Sequence, residues 1–303
     1  MTHRFFWTMA VVLLCAVTAR AGGDEVKIYR EPVAFAPFQT EYVKLLSVEQ
    51  LSSTDSWFGG LSGLVKTADG YLSVSDRGVL FIFEGERFDR ARLIPLRGGN
   101  GKLLKGKRRR DSESLALAPD GSLYISFERN HRVVRYARDG SVREDILSFG
   151  KEEQALVPNH GIEALEILRD GTLLLVVEGQ VSHPFTAVWL VKDGQSKRFD
   201  LPLKDGFRPT GVVRLPQTDN FVLLERYYKP LLDVKARLSY LNVSADSVTR
   251  GAVLAEFSSP TPVDNFEGIA AHEDTQGRLI LSVLSDDNFS LFQRTLLLRI
   301  LLK

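Results

Sequence analysis

The sequence predicts an all-β fold, a single β-propeller of five four-stranded blades with a sixth blade left open. Three observations lead there. One strand–turn–strand–acid module recurs five times, its period is that of a propeller blade, and the two chain ends carry complementary parts of one unfinished blade.

The N-terminus comes first and is read out of the fold. Arg4 gives a positive start, Phe5 to Val17 form an apolar run too short to span a bilayer, and Ala19-Arg20-Ala21 has the small-x-small form of a cleavage site. Residues 1–21 are therefore expected to be a signal peptide, and 22–303 the propeller domain of a periplasmic or secreted protein. Leu14 before Cys15 argues against a lipoprotein, which needs a small residue there. Cys15 is the only cysteine, so the processed chain has no disulfide, thiolate nucleophile or cysteine-rich zinc site. It would carry 37 basic against 38 acidic side chains, a balance that gives no bulk attraction to nucleic acid or a membrane surface. No second apolar run reaches membrane-spanning length.

Next come the repeats. Each has a short apolar strand, a turn carrying Asp-Gly or a relative, a second apolar strand and an acid. The turns are Asp69-Gly70, Asp120-Gly121, Asp170-Gly171, Asp219-Asn220 and Gln276-Gly277. These residues accept the positive φ angles of tight two-residue connections. Aligning Ser62, Glu113, Glu163, Thr210 and Glu267 gives spacings of 51, 50, 47 and 57 residues. Further strand-like runs follow each hairpin, among them Val79–Phe83, Val133–Tyr136, Ala187–Val191 and Leu238–Val243. The last repeat ends at its third strand, Thr295–Leu302, while the run starting at Tyr42 resembles the fourth strands elsewhere. Pairing the two would close the ring and remove both open edges. A pair of β-sandwiches is the alternative, and a sixth blade would have to come from Val26 to Phe38.

Two acidic columns emerge from the alignment. Glu113, Glu163 and Glu267 open the first strand, with Ser62 and Thr210 in the other repeats; Asp76, Glu128, Glu178, Glu225 and Asp286 close the second. Antiparallel pairing puts the start of one strand beside the end of the next, so both columns belong at one mouth of the channel. Two like charges about 6 Å apart at an effective dielectric near 20 repel by roughly 3 kcal/mol, so a cation, shared protons or arginines must offset them. Arg77, Arg129 and Arg226 each follow a second-column acid. Calcium suits such a set, since it accepts several oxygens in irregular geometry. Asp264-Asn265, Asn159 and Asp287-Asn288 add oxygens near the same rim. Acid–arginine pairs that staple neighbouring blades are the alternative use of these residues.

Other signals are weaker. His160 precedes a first-column acid and could act as a general acid or base, or lie in a surface loop. No metalloprotease, nucleophile-elbow or phosphate-loop motif occurs. Lys102 to Arg110 is a basic cluster that reads as an arm attracting an anionic substrate, or as a solvated loop.

Six segments together resemble the phytase-like family, also called the esterase-like domain of phytase. They are Phe58-Gly-Gly-Leu-Ser-Gly-Leu, Ser75-Asp-Arg-Gly78, Asp111-Ser-Glu-Ser-Leu-Ala, Asn265-Phe-Glu-Gly-Ile-Ala, Ser285-Asp-Asp-Asn-Phe-Ser and Gln293-Arg-Thr-Leu-Leu-Leu. The resemblance implies an exported bacterial propeller whose recurrent acids carry phosphoesterase or phosphodiesterase chemistry. Those acids match Asp76, Glu113, Glu163, Glu267, Asp286 and Asp287 here. The resulting expectation is a monomeric hydrolase of a small anionic ester, phosphate or other. Asp76, Glu113, Glu163, Glu267, Asp286 and Asp287 would hold Ca²⁺, Glu163, Glu267 or His160 would move the proton, and Arg77 and Arg129 would bind substrate. The rival expectation is a non-catalytic propeller that binds a ligand or envelope partner.

Overall fold

Turn chemistry builds the hairpins, and hairpins build the blades. A computed structural model describes residues 24–148, 161–180, 182–229 and 233–303; the expected signal peptide, His160 and Asn159 lie outside them. Strands β1 (Glu25–Lys27), β2 (Tyr29–Pro32) and β3 (Val43–Ser52) come first. The first blade follows, with β4 (Leu61–Thr67), β5 (Gly70–Ser75), β6 (Val79–Glu84) and β7 (Arg90–Pro95). A single helical turn, α1 (Lys107–Arg110), precedes β8 (Ser112–Leu117), β9 (Leu123–Phe127), β10 (Arg132–Tyr136) and β11 (Val142–Ser148) of the second. The third holds β12 (Ile162–Ile167), β13 (Leu173–Val177), β14 (Phe185–Lys192) and β15 (Gln195–Pro202). The fourth holds β16 (Arg208–Arg214), β17 (Phe221–Lys229), β18 (Asp233–Ser244) and β19 (Ser247–Phe257), and the fifth β20 (Phe266–Glu273), β21 (Leu279–Ser285) and β22 (Thr295–Leu302).

All pairings are antiparallel, and all join sequence neighbours except β1 with β7 and the pair that closes the ring. There β3 completes the fifth blade, with Leu51 opposite Thr295 and Val43 opposite Leu302. Strands β1 and β2 add fifth strands to the first and fifth blades, so the N-terminal run makes edges and not a sixth blade.

Five apolar clusters fill the five spaces between neighbouring blades. Phe81, Phe83 and Phe88 of the first blade pack with Leu284 and Leu297 of the fifth, for example, and Val222 and Leu238 of the fourth pack with Leu281 and Leu298 of the fifth. Three further clusters join the remaining pairs. Each blade is apolar on both faces, which explains the near-continuous buried runs of β5 and β13.

Three of the Asp-Gly turns differ from the two-residue form. At Asp120-Gly121, Asp139-Gly140 and Asp170-Gly171 the glycine has a positive φ and the aspartate Oδ1 accepts the backbone N–H two residues on. The residue before the loop bonds across it, as Ala118 N–H does to Ser122 O, giving three-residue turns with a bulge. Asp193-Gly194 is a true two-residue turn, flanked by paired Lys192 and Gln195, with both central residues at positive φ. Among the described residues no helix is long and apolar enough to cross a membrane.

Candidate functional site at the acidic mouth

The innermost strands β4, β8, β12, β16 and β20 carry the site, and a repeated irregularity aims it. In four blades the ladder skips one residue near the strand's start: Glu113, Glu163, Thr210 and Glu267 are the residues passed over. Such a bulge frees a residue from its cross-strand partner and re-aims its side chain. The following residue is small in every blade (Gly63, Ser114, Ala164, Gly211, Gly268). A Cβ at Gly211 would meet Glu267 O at 2.8 Å, and one at Gly268 would meet the Gly63 backbone at 3.1 Å. Backbones of neighbouring blades thus touch beside the bulge, which draws the bulged acids together.

The second column contains one correction. Backbone N–H groups of Asp76, Glu128, Glu178 and Asp286 bond to the carbonyls of Gly60, Asp111, Gly161 and Asn265. In the fourth blade Glu225 pairs with Pro209 and Arg226 with Arg208, so Arg226 occupies the equivalent position. A one-residue step along a strand reverses the face. Glu225 therefore points away from the mouth and is fully buried against Arg250, at 2.6 Å, and Ser239, at 3.1 Å.

Compensation divides the remaining acids into two groups. Glu267 accepts from Ser62 Oγ at 2.9 Å, Asn265 Nδ2 at 2.8 Å and Arg226 at 3.4 Å. Glu178 lies 3.0 Å from Arg226 and 3.1 Å from Arg208. Asp287 takes the Gly60 and Phe289 N–H groups and the Thr295 hydroxyl, and Asp286 takes the Asn288 N–H at 2.7 Å. In contrast, no donor among the described residues bonds to the carboxyl of Glu113 or Glu163, and Asp76 Oδ1 is buried without a partner. Ligand oxygens of Asp111, Glu113 and Glu128 lie within 4.8 Å of one another. Asn265 is buried and its Oδ1 is likewise unpartnered.

Electrostatics follow this division. Burial, then the charges of Glu163 and Glu267, holds Glu113 well above the usual carboxylate range. Burial, then Glu178 and Glu267, does the same to Glu163 against the pull of Arg226. Glu267 and Asp286 are also raised, chiefly by burial, and Asp76 by burial and the charge of Asp111. The mouth is a set of hard oxygens with an incomplete complement of positive charge.

Of the two expected substrate arginines, Arg129 is half-exposed and bonds Asp111 Oδ2 at 2.5 Å. Arg77 stacks 3.4 Å above the Phe289 ring and donates to Ser56 O. Two participants escaped sequence reasoning. Arg208 sits two residues before Thr210, the same offset as Asp111 before Glu113 and Asn265 before Glu267, so a third polar column was there to be read. Arg250 reaches Glu225 from an outer strand and carries no such signal.

Comparison with known proteins adds the family. The family model described as "Esterase-like activity of phytase" matches residues 56–289. The chain belongs to the Phytase-like family. The acids Asp76, Asp111, Glu113, Glu128, Glu163, Glu178, Glu267, Asp286 and Asp287 all fall inside both the matched span and the described structure. No functionally curated protein matches this Phytase-like chain. A protein of unknown function from Bacteroides thetaiotaomicron shares its fold at 12% identity and a TM-score of 0.50, covering 92% of this chain and 76% of that one. The PQQ-bound aldose sugar dehydrogenase of Streptomyces coelicolor aligns at 12% identity and a TM-score of 0.46, covering 88% of this chain and 100% of that one. A catalytically inactive virginiamycin B lyase from Staphylococcus aureus, bound to quinupristin, aligns at 10% identity and 0.45, covering 91% and 100%.

Proposed function

We propose that this Phytase-like chain is an exported hydrolase of phosphate esters, phosphodiesters or related esters, working at the acidic mouth. Residues 1–21 would direct export and 22–303 form the enzyme. One observation carries the reading: the bulged carboxyls of half-buried Glu113 and buried Glu163 lie within the field of neighbouring acids without a hydrogen-bond donor among the described residues. A purely structural ring would pair them, as it pairs Glu225 and Glu267.

The oxygens of Asp111, Glu113 and Glu128 fit a Ca²⁺ ion, which prefers several carboxylates at flexible geometry. Asp76, Asp286, Asp287, Glu163 and Glu267 would surround it with further carboxyl oxygens. When bound, calcium would polarise the ester oxygen and acidify water. Glu163, whose carboxyl is held above the usual carboxylate range by burial, suits proton exchange. Glu267, already fixed by three donors, is better suited to orienting Ser62, Asn265 and Arg226. Arg129, at the edge of the acid triad, would meet substrate oxygens, with Arg77 further out on the rim. His160 remains a candidate proton carrier.

The rival reading is a non-catalytic binding propeller, favoured by the way Arg208 and Arg226 neutralise Glu178 and Glu267. A chromogenic phosphodiester assay with calcium or chelator separates the two. Calcium-stimulated turnover that falls about a hundredfold in Glu113→Gln and Glu163→Gln is expected. Absent turnover, with a melting temperature indifferent to chelator, would leave only the binding propeller.

A further inference from the structure

The loop between β21 and β22 overhangs the mouth and shows two large apolar side chains to water. Leu291 is 100% and Phe292 96% exposed. Fraying does not explain this, because the loop is pinned. Asp287 accepts from Gly60 N–H at 2.9 Å, Phe289 N–H at 3.0 Å and Thr295 Oγ1 at 3.1 Å, and Ser290 N–H bonds back to Asp287 O at 2.7 Å. Asn288 and Phe289 both adopt left-handed φ angles, near 48° and 50°, a conformation that side-chain-bearing residues keep only where the surroundings impose it. The fold thus holds an apolar pair outward at its own cost.

Beside this loop lies the basic cluster. Phe289 carries the Arg77 guanidinium at 3.4 Å, and a Cβ on the next residue, Gly78, would touch Arg110 Cβ at 2.7 Å. Arg110 ends α1, whose Lys107, Arg108 and Arg109 are exposed, as are Lys102 and Lys105 before it. The segment from Arg97 to Arg110 contains seven basic side chains and no acid. Of the mouth acids, Asp111, Glu163, Glu267 and Asp286 are buried and Asp76, Glu113, Glu128 and Asp287 half-buried, whereas the cations of the arm from Lys102 to Arg109 are exposed. An exposed apolar pair next to a cationic arm, on one face, is the combination that engages an interface with buried hydrocarbon and anionic headgroups.

We propose that the mouth face docks on an anionic phospholipid surface, with Leu291 and Phe292 entering the headgroup–acyl boundary and the Lys102–Arg110 segment contacting the headgroups. Charge complementarity selects this partner: the apolar pair alone would suit a protein, but six cations without one acid between Lys102 and Arg110 call for a dense anionic surface. Docking requires no turnover, so it stands apart from the hydrolase reading.

Co-sedimentation with vesicles tests it, using phosphatidylcholine alone and phosphatidylcholine mixed with phosphatidylglycerol. Binding is expected to the mixed vesicles only and to weaken with added salt. Leu291→Ser with Phe292→Ser should weaken it at least about tenfold, and Lys105→Gln, Lys107→Gln and Arg108→Gln by about fivefold each, with the melting temperature unchanged. Glu163→Gln should bind as the parent does, which separates failure of docking from failure of catalysis. No binding to mixed vesicles, equal binding to neutral ones, or an unaffected serine double variant overturns the proposal. Self-association that the serine pair abolishes, without vesicle binding, would assign the patch to a protein contact instead.

Discussion

Replacing Arg226 by methionine probes how the mouth tolerates its charge. The guanidinium lies 3.0 Å from Glu178 and 3.4 Å from Glu267, and each attraction is about 5 kcal/mol at an effective dielectric near 20. Desolvating the arginine offsets much of that, and breaking a buried pair typically costs about 3–5 kcal/mol. Glu178 keeps Arg208, and Glu267 keeps Ser62 and Asn265, so the lower end applies, about 3 kcal/mol. For a chain of this size that is a fall of about 6–12 °C in melting temperature. The loss depends on pH, and its sign follows from Glu163 and Glu267. Both are raised above their ordinary values with Arg226 present, through burial first, and removing a neighbouring cation raises them further. A raised carboxyl binds more protons folded than unfolded. Its contribution is therefore intact below the unfolded value, about 4.3, and is lost as pH climbs through the folded value. Arg226→Met should accordingly cost less near pH 5 than near pH 8. Thermal melts followed by circular dichroism in chelator, at both pH values, measure this. Equal losses at the two, or a loss below about 1 kcal/mol near pH 8, would refute the charge balance described above.

Two further outcomes test the register and the rim. Arg250→Met strands fully buried Glu225 and should cost about 3–5 kcal/mol in the same melts, yet leave turnover per folded molecule unchanged. Lost turnover would return Glu225 to the mouth. Gly60→Ala sets a Cβ 2.4 Å from Asp76 Oδ1 and from Phe289 Cε2 at a φ of 61°, and should cost about 2–4 kcal/mol. Gly121→Ala, at a positive φ but with nothing within 4 Å, should cost only about 1 kcal/mol; equal losses would show that backbone strain alone, not crowding at the rim, sets the first value.

Local chemistry was legible in the sequence because it acts over a few residues. Asp-Gly turns punctuate apolar runs, and their recurrence every fifty or so residues names the blade. Even the closure could be anticipated, since an unfinished repeat at Leu302 and a spare strand at Val43 need each other. The first acidic column was found for the same reason: it precedes each turn by seven or nine residues.

What failed was register and partnership. Glu225 and Arg226 are adjacent, and which one faces the mouth depends on the bulge at Thr210, a feature of the ladder rather than of composition. The pairing of Arg226 with Glu267 joins residues of different blades, and that of Arg250 with Glu225 joins an outer strand to an inner one. The sequence by itself determined the module, its number and the residue types that collect at one end. Only the closed ring decided which acids bond a cation and which, like Glu113 and Glu163, bond none among the described residues, because charges interact through space and the distances exist only once the blades have packed.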